Sequence, residues 1–197
     1  VTRIILVRHG ETAWTLEGRY QGRTDTLLTS KGKTQASKLA RFFKNEKIDC
    51  FYSSRRSRAY ETARAIAKFH GKEVRQKGYL DEMSFGAWEG KTFRDLIRER
   101  DPIYRAWCRG RLLTPRGGES ISHFTKRIRA ALEEFRKKHP GKTVLAVTHG
   151  GVIRMALTLA LGLSLKKFWA FAVSTASFTV LEFEGGYLNV KCVNHLP

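Results

Sequence analysis

Two short apolar runs, each ending in a histidine and a glycine, restrict the possible folds of this chain more than any other feature. Ile4-Ile5-Leu6-Val7 runs into Arg8-His9-Gly10, and Val144-Leu145-Ala146-Val147 runs into Thr148-His149-Gly150. A short apolar run of this kind reads as a strand covered on both faces, the pattern of a parallel sheet layered between helices. In open α/β sheets, ligands collect beyond the carboxyl ends of the strands. The two histidines are therefore expected to leave the same sheet edge, each followed by a glycine that lets the backbone bend or approach a ligand. A helix after His149 would aim its free N–H groups at that edge, which suits an anion.

The rest of the chain supplies the other layers. Ala36, Leu39, Ala40 and Phe43 recur at helical spacing, and residues 48–53 read as a second strand. Ala59, Ala63, Ile66 and Ala67 mark a helix from about Ser57, and a short strand is expected near Val74. Residues 12–30 hold two glycines among mixed polar residues and read as a long loop or short helix over the strand end. From Leu80 to Gly118 the periodicity is poor and glycine and proline recur, which reads as an insertion acting as a lid over the site. Ser120 suits the N-cap of a helix over 121–138, with Phe124, Ile128, Ala131, Leu132 and Phe135 as its apolar stripe. A further helix is expected over 152–161, and a hairpin turns at Gly185-Gly186. The expected fold is a single α/β domain over residues 1–197. It has three α/β/α layers, a mainly parallel central sheet and a C-terminal hairpin.

Composition narrows the chemistry. With 37 Lys and Arg against 18 Asp and Glu, the net charge is +19, a field that attracts polyanions. The basic residues are scattered over several helices with no basic tail and no RNA-recognition string, so a nucleic-acid partner is not expected. Cys50, Cys108 and Cys192 form no C-x-x-C pair, which argues against a disulfide framework and a zinc site. No apolar run reaches the length of a membrane span and the first residues enter a strand at once, so a cytoplasmic protein without membrane contact is expected.

Familiar phosphate motifs fail on inspection. Three Gly-Lys-Thr triplets imitate the end of a P-loop, but Leu27, Phe85 and Arg136 stand where its first glycine belongs. There is no Gly-x-Ser-x-Gly elbow, and the histidines lack metal-ligand spacing. Phosphate chemistry without metal or cofactor then requires a histidine nucleophile and arginine clamps. Arg55, Arg56 and Arg58 supply the latter at the start of a helix, where cations oppose the macrodipole unless an anion binds. Arg58 is the expected ligand; Arg55 and Arg56 read as a solvated cluster. Asp81, Glu82 and Glu89 compete for proton transfer, set among Leu80, Met83, Phe85 and Trp88.

Six motifs in order resemble the histidine phosphatase superfamily in its phosphoglycerate-mutase-like branch. They are Arg8-His9-Gly10-Glu11-Thr12, Gln21-Gly22 with Leu28-Thr29-x-x-Gly32-x-x-Gln35-Ala36, Ser53-Ser54-x-x-x-Arg58-Ala59-x-Glu61-Thr62-Ala63, Glu82-x-x-Phe85-Gly86-x-Trp88-Glu89-Gly90, Gly118-Glu119-Ser120 and Thr148-His149-Gly150. The resemblance implies that His9 takes the phosphoryl group as a phosphohistidine. Arg8, Arg58 and His149 would cradle that group, with Thr15, Gln21, Gly22 and Gly150 completing the pocket. It singles out Glu82 as the proton donor. Many members carry asparagine six residues after the nucleophile, where this chain has the shorter Thr15.

The activity so implied is metal-independent hydrolysis of a small phosphorylated metabolite, as in small phosphatases that include α-ribazole phosphatases. Two alternatives are a cofactor-dependent phosphoglycerate mutase, which resembles longer chains, and a non-catalytic polyanion-binding protein on the same scaffold. Arg94, Arg98, Arg105, Arg109, Arg111 and Arg116 of the insertion are candidates for recognising a second acidic group. A hairpin edge at the C-terminus would allow a homodimer.

Overall fold

A computed structural model describes the whole chain, Val1 to Pro197. Its frame is one six-stranded sheet in the order β3-β2-β4-β1-β5-β6, where β1 is Thr2–Arg8, β2 Cys50–Ser53, β3 Val74–Gln76, β4 Thr143–Thr148, β5 Phe178–Glu184 and β6 Tyr187–His195. The first four run parallel, whereas β5 pairs antiparallel with β1 and β6 antiparallel with β5. The hairpin therefore extends the same sheet. Its turn at Gly185 and Gly186 has φ of 56° and 87°, the positive pair that a two-residue hairpin loop of type I′ requires.

The helices are α1 (Ala13–Leu16), α2 (Ser30–Phe43), α3 (Ser57–Ala67), α4 (Phe93–Arg98), α5 (Pro102–Cys108), α6 (Ile121–Lys138) and α7 (Gly150–Ala160). Alternation along the central strands sorts them into two layers. Ile4, Leu6, Val144 and Ala146 face a core shared with α6 and α7, while Ile5, Val7, Leu145 and Val147 face one shared with α2 and α3. All eight strand residues are at most 2% exposed, and each buried aliphatic side chain contributes about 1.5–3 kcal/mol. Ser120 caps α6 as expected, accepting the His123 N–H at 3.2 Å. No helix is long and apolar enough to cross a membrane.

Residues 80–118 are tied into the main core by aromatic rings. Trp88 packs edge-on against Tyr104 and Trp107 with centroids 5.4 and 5.1 Å away, and all three are buried with Phe85 in the α6–α7 layer. The six arginines singled out in this segment, and Arg100 with them, all lie exposed on the outer surface.

Candidate active site

Strand register brings the two histidines together. Arg8 lies opposite Thr148 in the β1–β4 ladder, and the His9 N–H donates to the Thr148 carbonyl at 3.1 Å. His9 and His149 follow at the strand ends, with ring centroids 5.1 Å apart. Around them lies a cavity of about 140 Å³ whose lining includes Arg8, His9, Gln21, Gly22, Arg58, Glu82, His149 and Gly150.

His9 Nδ1 lies 2.8 Å from the carbonyl of Gly10. A carbonyl only accepts, so Nδ1 carries the proton and Nε2 is left with its lone pair. Burial, then the positive charges of Arg58 and Arg8, hold the His9 pKa well below the usual 6.5. His9 is thus neutral at physiological pH, with Nε2 free. Gly10 has to be small: a Cβ there would meet the Gly32 carbonyl oxygen at 2.5 Å, where the start of α2 crosses the strand end.

His149 is held differently. Its Nε2 lies 2.8 Å from Ser54 Oγ, and that hydroxyl donates to Asp81 Oδ1 at 2.9 Å. Ser54 therefore accepts from the His149 Nε2–H. Nδ1 faces the Arg58 guanidinium at 3.4 Å. Burial and the charge of Arg58 also keep His149 neutral.

Two guanidiniums complete the cradle. Arg58 is fully buried, donating from Nη1 to the Thr24 carbonyl at 2.8 Å and from Nη2 to the Gly22 carbonyl at 2.9 Å. Arg8 donates from Nη1 to the Val173 carbonyl at 2.6 Å. The Nε of each is buried without a partner. Burial lowers the pKa of both to about 10, which leaves them charged at neutral pH and short of negative counter-charge. Such a site favours an incoming dianion.

The three competing carboxylates are separated by their partners. Asp81 takes hydrogen bonds from Ser54 and from the backbone, Nε and Nη2 of Arg55, with Arg56 at 3.6 Å. Burial works to raise its pKa, but these bonds outweigh burial and hold it below the usual range. The expectation of a solvated Arg55–Arg56 cluster is corrected in part: a buried carboxylate recruits both cations, while the Arg55 side chain stays half exposed. Glu89 accepts from the backbones of Arg23, Thr24 and Phe85 and from the Thr24 hydroxyl, and so ties down the 22–24 loop. Gly22 at φ 53° passes so close that a Cβ would lie 2.0 Å from Glu89 Oε1. Glu82 alone of the three lines the cavity, its oxygens accepting the N–H groups of Met83 and Gly151 at 2.9 Å each.

Thr15 departs from expectation. Its hydroxyl accepts the Thr12 N–H at 2.9 Å and donates to the Thr12 carbonyl at 2.8 Å, closing a capping box at α1, and it does not line the cavity. Gln21 does line it. Its Oε1 accepts the hydroxyls of Thr12 and Thr26, which turns the amide nitrogen free as a donor. The cavity also gathers Arg19, Tyr20, Phe85, Gly151, Arg154 and Trp169, whose part the motifs did not reveal. Arg154 had a sequence signal: it lies four residues after Gly150, one turn along α7 on the same face. Its Nε donates to the Phe171 carbonyl at 3.0 Å and its guanidinium covers the Trp169 ring at 4.9 Å. The insertion's arginines contribute nothing to the lining.

Comparison with known proteins matches this chain nearly from end to end. The model of the histidine phosphatase superfamily (branch 1) matches residues 4–196. Phosphoserine phosphatase 1 of Hydrogenobacter thermophilus is 36% identical over 93% of this chain and 88% of its own length. The adenosylcobalamin/alpha-ribazole phosphatase of Salmonella typhimurium is 32% identical over 98% of this chain and 96% of its own. Among solved structures, phosphoserine phosphatase of Entamoeba histolytica in complex with 3-phosphoglyceric acid superposes with a TM-score of 0.91 at 33% identity, covering 99% of this chain and 98% of that one. With two histidines at one sheet edge and relatives matched along the whole domain, the chain belongs to branch 1 of the histidine phosphatase superfamily.

Proposed function

We propose that this chain hydrolyses small phosphate monoesters through a phosphohistidine on His9. The observation that carries the reading is a neutral buried imidazole with a free Nε2, set beside two under-neutralised guanidiniums around a compact cavity. The phosphoryl oxygens lie among Arg8, Arg58 and His149: the two guanidiniums supply the charge and hydrogen bonds that offset what builds up in the transition state, and His149 Nδ1 orients Arg58. His9 Nε2 attacks phosphorus as the bond to the ester oxygen breaks, and Glu82 in its acid form gives that oxygen a proton. After the alcohol leaves, the Glu82 carboxylate takes a proton from water, whose oxygen attacks phosphorus and breaks the P–N bond. Phosphate and neutral His9 are regenerated, and Glu82 is again protonated.

The names of the relatives support compact substrates, and those concerned with phosphoserine and 3-phosphoglyceric acid support esters bearing a carboxylate. Arg154 suits that carboxylate: it lines the cavity, its fork is oriented through Nε, and no acidic side chain pairs with it. The test is phosphate release from p-nitrophenyl phosphate and O-phosphoserine by wild type and His9→Ala. Wild type is expected to turn over both and to be unchanged by EDTA, since Arg8 and Arg58 supply the positive charge. Equal activity in His9→Ala removes His9 as nucleophile. With 3-phosphoglycerate and a trace of 2,3-bisphosphoglycerate, phosphate release should outrun isomerisation; the reverse makes the enzyme a mutase.

A further inference from the structure

Arg127 lies on α6 outside the cavity lining, yet every N–H of its guanidinium is engaged. Nε and Nη2 donate to the two oxygens of Glu119 at 2.8 Å each, a bidentate pair. Nη1 donates to the carbonyls of Tyr79 at 2.9 Å and Asp81 at 2.7 Å, and Nη2 also to the carbonyl of Glu82 at 3.1 Å. Leu80, the remaining carbonyl of this segment, accepts the Thr148 hydroxyl at 2.6 Å. The four carbonyls from Tyr79 to Glu82 are thus held by side chains, in a stretch that begins within a single turn of 3-10 helix (Gly78–Leu80) and belongs to no strand.

The clamp is largely shielded from solvent. The Arg127 side chain is 11% exposed and that of Glu119 5%, and the guanidinium lies 4.6 Å from the Phe124 ring centroid. Glu119 also takes hydrogen bonds from His123 at 2.6 Å and from Arg23 at 3.4 Å, which joins the clamp to the loop after Gly22. We infer that Arg127 is the positioning residue for Glu82: by fixing the backbone on both sides of it, Arg127 sets where the proton donor meets the leaving oxygen. The inference rests on the proposed role of Glu82. Arg127 touches no reacting atom itself.

A merely structural arginine would affect all substrates alike, whereas a residue that positions a general acid affects most the esters whose leaving group needs a proton. An alkoxide needs that proton, and p-nitrophenolate hardly does. The readout is therefore kcat/KM for β-glycerophosphate divided by kcat/KM for p-nitrophenyl phosphate, measured on one preparation of the full chain. kcat/KM covers steps only as far as phosphoenzyme formation, and the ratio cancels any loss of folded enzyme. Glu82→Gln is expected to lower the ratio about 100-fold. Arg127→Lys, which keeps the charge but not the fork, is expected to lower it about 10-fold, and Arg127→Met further. In the Glu82→Gln background, Arg127→Lys should leave the ratio unchanged. Equal loss on both esters in Arg127→Lys, or an undiminished effect in the Glu82→Gln background, overturns the inference while Glu82 keeps its role. An unchanged ratio in Glu82→Gln itself removes the acid role of Glu82, and this inference with it.

Discussion

His9 and His149 stand at the ends of neighbouring parallel strands, are equally buried, and are both kept neutral by that burial and then by the charges of the same arginines. Their hydrogen bonds differ. His9 is anchored through Nδ1 to the carbonyl of the next residue, which frees Nε2, whereas His149 is anchored through Nε2 to Ser54 and beyond it to the buried Asp81. One sequence plan thus leaves one ring with a free nitrogen and ties the other at both, which suits the roles proposed for them, because the second nitrogen decides what the first can do. The sharpest way to break this distinction is to remove each ring. His9→Ala should reduce phosphatase turnover by at least about 10³-fold and abolish the acid-labile phosphoenzyme. His149→Ala should cost about 10²–10³-fold and still trap phosphoenzyme, formed slowly. Rapid-quench labelling reads both; phosphoenzyme that survives in His9→Ala and vanishes in His149→Ala exchanges the roles.

The relay behind His149 offers a finer test. Ser54→Ala removes the acceptor of the Nε2–H and leaves Asp81 to Arg55 and Arg56. The ring then loses its fixed tautomer and orientation, so kcat should fall about 10-fold, with a stability cost of about 1–2 kcal/mol for the orphaned donor. Chemical denaturation and steady-state kinetics measure the two effects. An unchanged kcat would show that the Asp81–Ser54 chain serves folding alone.

Much of this comparison was legible in the residues. Doubly covered strands announce themselves as unbroken apolar runs, and their carboxyl ends face a site by topology, so His9 and His149 could be placed before any coordinates. The stripe on α6 was equally plain, since Phe124, Ile128, Ala131, Leu132 and Phe135 are all buried. What separates Asp81, Glu82 and Glu89 was not legible from local pattern. It depends on hydrogen bonds from Arg55, Ser54, Arg23 and Thr24, which lie far away in the sequence. Thr15 misled because a threonine three residues after Thr12 is also a capping residue, and the local bond won. Trp169 reaches the cavity from a segment with no motif, by packing under Arg154.

Stability as a function of pH treats the two histidines as equals where catalysis does not. Both have native pKa values well below 6.5, the ordinary value that the unfolded chain recovers. The unfolded state therefore binds protons that the native state refuses, and stability falls as pH drops below about 6.5, continuing until the native rings titrate. Each ring contributes a slope of up to about 1.4 kcal/mol per pH unit in that window. Above pH 6.5 neither contributes, because both states are neutral there. His139 and His70, also lowered by burial, add in the same direction, so the wild-type slope is not theirs alone. The informative measurement is the difference between wild type and single variants, with urea midpoints taken between pH 5 and 8. His9→Asn and His149→Asn should each flatten the acid limb by about the same amount and converge with each other near pH 5. A slope that changes for one variant alone would mean that only one ring is held neutral in the native protein. The shared electrostatic environment of the pair would then be broken, and their difference in hydrogen bonding would no longer suffice to explain their difference in role.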